Sequence, residues 1–260
     1  MKKIIATHNK MFHADEITAI ALLKLFTSDE YKIERVDHNT LEFDKYDFVI
    51  DIGQKYDGLK YFDHHQYKGG KSSAGLIWEY LGVENQYEKI SKLVDLVDMN
   101  DVGIAKSKEF EYSSLIKCYN NENLYSQEQD IQFTKALDFA INILSSKKRF
   151  HDSSLEAEKI IANSTFFEKN SKIIELDSFT PHWRMYINGQ NMPNVKAVVW
   201  EDVLENNWKV NITSKFIGSF ELTHTPLKQD FNMEFVHKSG HFAIANNKES
   251  LIKYLNSQIK

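Results

Sequence analysis

Two adjacent histidines behind an aspartate are the feature of this sequence most suggestive of chemistry. They lie in the stretch YFDHHQ, where Asp63, His64 and His65 follow a short β-type run. Imidazole and carboxylate groups are common ligands of divalent metal ions. A protein core holds such groups at a high free-energy cost unless a cation or a hydrogen-bond partner is present. By itself the stretch leaves three interpretations open: chance, a histidine pair on the surface, and a metal site.

Two other β-type segments also end in polar residues that can bind metal ions. The first runs into THNKMFHADE, which supplies His8, His13 and Asp15, and a later one ends in VIDIG, which supplies Asp51. An aspartate after a strand is most often a turn residue or a helix cap, so Asp51 alone would carry little weight. Ligands of open parallel sheets bind beyond the carboxyl ends of the strands. We therefore expect these side chains to meet at one edge of a sheet.

A further set of carboxylates lies in LVDLVDMNDVG. Asp95, Asp98 and Asp101 recur every three residues, so two of them can share a helix face or a helix end. A solvated acidic face is the ordinary interpretation. The leucine and valine residues that flank them instead indicate a buried helix, where unpaired carboxylates would be costly without a cation.

The ligand types restrict the metal. The single cysteine, Cys118, excludes a disulfide framework or a cysteine-rich zinc site within one chain. Mixed carboxylate and imidazole ligands suit manganese, magnesium, iron or catalytic zinc. A site with this many carboxylates can hold two cations about 3.5–4 Å apart, the arrangement used in phosphoryl chemistry.

The elements that must position these residues alternate between strand and helix patterns. The segments KKIIAT, YKIERV, DFVIDIG and LKYF predict strands, and DEITAIALLKLF and SSAGLIWEYLG predict helices. Helical patterns then dominate from about residue 88 to 169, as in EKISKLVDLVDM, FTKALDFAINIL and SLEAEKIIANSTFF. The pattern predicts an α/β fold with a mostly parallel N-terminal sheet and flanking helices.

The C-terminal part is predicted to be a smaller α+β domain. KIIELD, RMYING, VKAVVWED, WKVNITS and the segment from Asn232 to Lys238 predict strands, and KESLIKYLNSQI predicts a final helix. We expect an α/β metal-binding domain over residues 1–125, a helical connector over 126–169 and a substrate-binding domain over 170–260.

Composition excludes some classes of function. Lysine and arginine total 32 against 37 acidic residues, a net charge of −5, which disfavours a protein that coats long duplexes. The N-terminal segment lacks the apolar core of a signal peptide, and no apolar run is long enough to cross a membrane. We expect a cytoplasmic protein with no membrane partner.

Together these motifs resemble the DHH phosphoesterase superfamily. In chain order they are THN…FHADE, VIDIG, FDHHQ, SSAGLIW and DMNDVG. Within the superfamily the chain is similar to the melanocyte-proliferating-gene type of metal-dependent hydrolases and RNA exonucleases. KAVVWEDVLENNWKV and FVHKSGHFAIA extend the resemblance to the C-terminal region.

The resemblance implies a two-metal phosphoesterase whose active site lies between a DHH domain and a smaller C-terminal domain. Its implied metal ligands are His8, Asp15, Asp51 and His64, with Asp51 bridging two divalent ions that activate a hydroxide. Manganese is the first choice, with magnesium or another divalent ion as the alternative.

The resemblance also implies roles for four further residues of the first hundred or so positions. Relatives often have an aspartate at the position of His13, which we group with the catalytic residues. His65 would face the substrate phosphate. We favour Asp101 as a further ligand and keep Asp98 as the near alternative.

A phosphate-binding turn is the implied role of residues in the C-terminal region, although a hairpin with incidental histidines fits the same residues. Those residues are His237, Ser239, Gly240 and His241.

The resemblance implies a 3′→5′ exonuclease acting on short or single-stranded RNA. One alternative is a hydrolase of small phosphorylated molecules, such as a dinucleotide or pyrophosphate, on the same fold. Another is a non-catalytic protein that binds metal or nucleotides. The sequence leaves the oligomeric state open, with a homodimer as one option.

Overall fold

The computed structural model describes residues 2–66, 69–187, 192–215 and 219–259. They divide into two compact units, residues 1–151 and 152–260. No helix among the described residues combines the length and apolar character that crossing a membrane requires.

The first unit is built on a four-stranded parallel sheet in the order β2-β1-β3-β4. The strands are β1 (Lys3–His8), β2 (Tyr31–Val36), β3 (Phe48–Ile50) and β4 (Tyr61–Phe62). The three residues of β3 are all buried, as expected for a central strand of a parallel sheet covered on both faces. The predicted parallel sheet is confirmed.

Helices cover this sheet and lead away from it. They are α1 (Ala14–Phe26), α2 (Ser73–Leu81), α3 (Glu88–Asp101), α4 (Tyr112–Lys117) and α5 (Gln127–Asn163). Buried side chains of α1 such as Ile17 and Ile20 pack in one core cluster with β3 and with Ile77 of α2. The two predicted helical segments between residues 133 and 167 belong mainly to one continuous 37-residue helix, α5, which includes the chain position at which the two units divide.

The second unit contains a six-stranded mixed sheet in the order β5-β6-β7-β8-β10-β9. Its strands are β5 (Thr165–Phe166), β6 (Ile173–Leu176), β7 (Ala197–Asp202), β8 (Asn207–Ile212), β9 (Phe235–Val236) and β10 (Phe242–Ala245). Only the β6–β7 pair is parallel among the described strand pairs of this sheet. The C-terminal helix α7 (Lys248–Gln258) buries Leu251, Tyr254 and Leu255 in the same core cluster as the sheet.

One strand prediction in this unit is wrong. RMYING was predicted as a strand, but Trp183–Ile187 form a short helix, α6, and residues 188–189 lie outside the described part. The hydroxyl of Thr180 accepts a hydrogen bond from the backbone of His182, and its carbonyl accepts one from Trp183. With Pro181 next in sequence, these bonds start a helical turn, and the fully buried Trp183 anchors it.

Candidate metal centre

Neighbouring parallel strands bring the predicted polar residues to one edge of the first sheet. β1 ends at His8, β3 is followed directly by Asp51, and β4 is followed by the Asp63–His65 segment. Since β3 pairs with both β1 and β4 in parallel, the three carboxyl ends are adjacent. Asp15 joins them from the first turn of α1, and Asp101 from the last residue of α3.

His8 is held between two carboxylates. Its Nε2 atom lies 3.1 Å from Oε1 of Glu16 and 3.2 Å from Oδ2 of Asp51. Its Nδ1 atom lies 2.9 Å from the carbonyl of Asn9, a contact in which only the imidazole can donate. Burial lowers the pKa of His8, but hydrogen bonds to Asp51 and Glu16 outweigh burial and raise it to about 11. The Nδ1 hydrogen bond would leave Nε2 as the metal-binding atom once that proton is lost.

Asp51 lies at the centre of the arrangement. Its Oδ2 atom faces His8, while its Oδ1 atom lies 3.4 Å from Nε2 of His64 and 3.2 Å from the hydroxyl of Ser73. Its backbone φ is 55°, a left-handed conformation that is uncommon for a residue with a side chain and that often marks a functional position. Burial raises the pKa of Asp51, but the close contacts of its carboxylate with the imidazoles of His64 and His8 exceed that effect and lower it. Asp51 is therefore ionised, with Oδ2 facing His8 and Oδ1 facing both His64 and His65.

Asp15 is a completely buried carboxylate whose two oxygens have no hydrogen-bond partner among the described residues. Burial, followed by the nearby charges of Asp51 and Glu16, raises the pKa of Asp15 well above its usual value. An uncompensated carboxyl group in a protein interior is costly and rare. A bound cation would stabilise this carboxyl group in its ionised form.

His64 and Asp101 complete this side of the centre. Nε2 of His64 lies 3.0 Å from Oδ2 of Asp101 and 3.8 Å from Oδ2 of Asp15. This nitrogen is buried, and none of these contacts has the geometry of a hydrogen bond. Burial lowers the pKa of His64, but its interactions with Asp101 and Asp51 raise it to about 10.

His65 points its Nδ1 atom at Asp63, and the same atom lies 3.5 Å from Oδ1 of Asp51. Its Nδ1 atom lies 2.8 Å from Oδ1 of Asp63, and its side chain is about half exposed. Asp63 is fully buried and also accepts hydrogen bonds from the backbone amides of Gln54 and His65. The hydrogen bond to Asp63, more than any other effect, raises the pKa of His65. Asp63 therefore positions His65 and keeps it available as a donor.

Asp98 and Asp101 have separate surroundings although they lie three residues apart. Oδ1 of the buried Asp98 accepts hydrogen bonds from the amide and the hydroxyl of Ser72 and from the amide of Gly75. These amides lie at the N-terminus of α2, where Ser72 is the residue before the helix and a carboxylate satisfies donors that have no partner within it. Asp98 thus ties α3 to the start of α2, and Asp101 is the carboxylate of α3 that faces His64.

The donor atoms form three overlapping groups suited to cations. In each group one ligand atom per residue lies within 4.8 Å of the others. The groups are His8, His13, Glu16 and Asp51; Asp51, His64 and His65; and His13, Asp15 and Asp101. This mixture of imidazole and carboxylate donors, together with the partnerless oxygens of Asp15, fits divalent ions.

Glu16 was not among the predicted ligands, although the sequence contains a signal for its position. Its carboxylate accepts hydrogen bonds from the backbone amide of His13, the residue before α1, as in a capping box. The spacing from His13 to Glu16 indicates this cap. It does not reveal that the same carboxylate also faces His8.

The predicted phosphate-binding turn lies in the second unit, beside a cavity of about 680 Å³. The hydroxyl of Ser239 lies 2.9 Å from Nδ1 of His237 and 2.6 Å from Nδ1 of His241. Gly240, with a φ of 66°, packs so closely against Pro226 and Leu227 that a Cβ atom would lie 2.6 Å from their atoms. Arg184, which the sequence did not single out, lines the same cavity.

The known proteins that this chain resembles include several that are named MYG1. A "MYG1 protein" of Saccharomyces cerevisiae is 29% identical over 238 residues, which cover 72% of this chain and 70% of that protein. A "MYG1 protein" of Chlamydia pneumoniae is 40% identical over 159 residues, covering 56% of this chain and 54% of the relative. The human "MYG1 exonuclease" is 26% identical over 84% of this chain and 71% of its own length. No solved structure matches the chain.

A family model matches almost the whole chain, from residue 4 to residue 258. The strand-end motifs and the C-terminal segments that carried the resemblance both fall within this range. The chain belongs to the MYG1_exonuc family, whose description is "Uncharacterised protein family (UPF0160)".

Proposed function

We propose that this protein is a metal-dependent phosphodiesterase of the DHH type. Its preferred substrate in this proposal is the 3′ end of a short or single-stranded RNA. The observation that carries the proposal is the buried carboxyl group of Asp15, whose oxygens have no hydrogen-bond partner within the described residues. It lies near His64, which also contacts Asp51. Such a group is expected where a cation binds.

The distances support a proposal of two sets of metal ligands. His8, Glu16 and Asp51 would hold one divalent ion, with His13 beside them. Asp51 would also contribute to the second ion, whose other ligands would be Asp15, His64 and Asp101. When bound, a pair of divalent ions supplies a hydroxide near neutral pH and offsets the charge that develops on a phosphoryl group.

Side chains next to the proposed ligands would hold the substrate and the ligands in position. Nδ1 of His65 donates to Asp63, so its Nε2 atom is left for a phosphoryl oxygen of the substrate. A protonated His65 would offset negative charge on that oxygen in the transition state. Ser73 donates to Oδ1 of Asp51 and keeps this carboxylate oriented between the two sets of ligands.

Relatives support a nucleic-acid substrate. The human and Bos taurus relatives are both named "MYG1 exonuclease", and each is 26% identical to this chain. The acidic net charge of −5 is better suited to a strand end held in a local cavity than to a long duplex.

Hydrolysis of a 5′-labelled single-stranded RNA in the presence of Mn²⁺ tests the proposal. We expect stepwise shortening from the 3′ end with release of nucleoside 5′-monophosphates, and no reaction in excess chelator. Asp51→Asn should abolish the activity, whereas Asp44→Asn, which changes an exposed carboxylate outside the centre, should retain it. Turnover of pyrophosphate or a dinucleotide without turnover of RNA would contradict the RNA assignment.

A further inference from the structure

A cavity of about 520 Å³ in the first unit opens beside the candidate metal centre. His13 and Asp101, which belong to the centre, line it together with Lys106 and Lys117. Both lysines are exposed, and neither forms an ion pair with a carboxylate of the described residues. The volume lies within the range of about 300–1,000 Å³ that is usual for ligand sites. The cavity therefore offers two available positive charges next to the proposed position of chemistry.

A second cavity, of about 290 Å³, continues from the first. The two share Val97, Asn100 and Ser113 as lining residues. Three further lysines line the second cavity: Lys89, Lys92 and Lys147.

The lysines of the second cavity differ in their partners. Lys92 is paired with the exposed Glu88 at 2.6 Å, and Lys89 lies over the ring of Phe150. Lys147 is exposed and has no ion pair with another described residue.

The charge along these two cavities is opposite to that of the whole chain. Five lysines line them against two carboxylates, Asp101 and Glu111, while the chain as a whole carries −5. Asp101 faces His64, and Glu111 accepts a hydrogen bond from the amide of Lys108. The lysines thus form a local basic path that starts at the candidate metal centre, whereas an ordinary solvated surface of this protein would be mixed or acidic.

We propose that the two cavities form a binding path for the phosphodiester backbone of a single nucleic-acid strand. Lys106 and Lys117 would bind phosphate beyond the scissile position, and Lys147 would bind phosphate farther along. The half-exposed Leu96 of the second cavity gives a base an apolar surface to contact. This inference rests on the proposed function, because it uses the metal centre as the starting point of the path.

Equilibrium binding separates this inference from the proposed activity. Fluorescence anisotropy of 5′-labelled single-stranded RNA, from a dinucleotide to a dodecanucleotide, is measured with chelator present and from low salt upwards. Turnover then cannot consume the probe, and the affinity is obtained whether or not the protein is an exonuclease.

Lys106, Lys117 and Lys147 should each contribute one contact with a phosphate of the bound strand. Lys117→Ala and Lys147→Ala should each weaken binding of the dodecanucleotide and reduce the slope of log affinity against log salt by about 0.7. Lys147→Ala should affect only the longer members of the series, whereas Lys117→Ala should also affect short ones. The matched control, Lys24→Ala, removes an exposed lysine of α1 that lines neither cavity and should leave the slope unchanged.

The outcomes that overturn the inference are distinct from failure of the activity. Equal affinity and equal salt slope for wild type, Lys117→Ala and Lys147→Ala would exclude the path even if RNA is hydrolysed. No binding of any oligonucleotide by the wild-type chain would also exclude it. Altered slopes without hydrolysis of RNA by the wild type in Mn²⁺ would support the path and contradict the proposed function.

Discussion

The Nδ1 atom of His65 lies 2.8 Å from Oδ1 of Asp63, which is fully buried at the end of β4. Asp63 has no atom in the three candidate metal-binding groups, although it stands first in the DHH stretch. The other hydrogen bonds that its carboxylate accepts come from the backbone amides of Gln54 and of His65 itself. Asp63 is therefore a positioning residue for His65.

Asp63→Asn should slow hydrolysis while the protein retains its metal. An amide at this position cannot stabilise a protonated His65 as a carboxylate does, so we expect kcat to fall by about 10- to 100-fold. Metal content and kcat measured on the same preparation check this prediction. The His65→Ala/Asp63→Asn double variant should be no slower than His65→Ala alone, because the two residues act as one unit. Full additivity would show that Asp63 acts independently of His65.

Asp98→Ala should destabilise the protein and leave the centre able to bind metal. The change leaves buried amides of Ser72 and Gly75 without their acceptor, at a cost of about 1–3 kcal/mol in the free energy of unfolding. Denaturant unfolding measures this loss.

Asp101→Ala is the matched comparison on the same helix. It removes the carboxylate nearest to Nε2 of His64, so we expect weaker Mn²⁺ binding with a smaller loss of stability in the metal-free protein. Mn²⁺ titration of both variants checks this difference. A loss of metal affinity that is greater for Asp98→Ala would reverse the assignment of the two carboxylates.

Metal binding should release protons at neutral pH. Despite burial, carboxylate partners raise the pKa of His8 to about 11 and that of His64 to about 10 in the metal-free protein. Both imidazoles are then protonated at neutral pH, and each must lose a proton to bind a cation. The apparent affinity for Mn²⁺ should therefore increase with pH below about 10, roughly tenfold per pH unit for each proton released.

Calorimetric titration in buffers with different ionisation enthalpies counts these protons directly. The raised pKa of Asp15 acts in the same direction, since a protonated carboxyl group must also ionise before it binds a cation. An affinity that stays constant as the pH rises from neutral towards 9 would contradict this account.

The backbone of the first unit could be predicted from sequence because its strands are short apolar runs between clear helix patterns. The segment YKIERV coincides with β2, and the end of KKIIAT lies within β1. The predicted meeting of His8, Asp51 and His64 at one sheet edge follows from the parallel order of the strands, and the structure brings these side chains together.

The contacts of Asp98 and Glu16 could not be predicted, because their partners lie in other elements of the fold. The role of Asp98 depends on Ser72 and Gly75, which lie 26 and 23 positions away. The contact of Glu16 with His8 requires the relative placement of a strand and a helix, which hydrophobic periodicity does not specify. The strand predicted over RMYING failed because apolar and aromatic residues favour a strand, whereas the preceding Thr180 starts a helical turn.

Crystals of the full chain grown with Mn²⁺ test the central claim most directly. Anomalous diffraction should show two peaks about 3.5–4 Å apart on either side of Asp51, one contacting His8 and the other contacting Asp15 and His64. Peaks located elsewhere, or His8, Asp15, Asp51 and His64 pointing into separate regions, would contradict it.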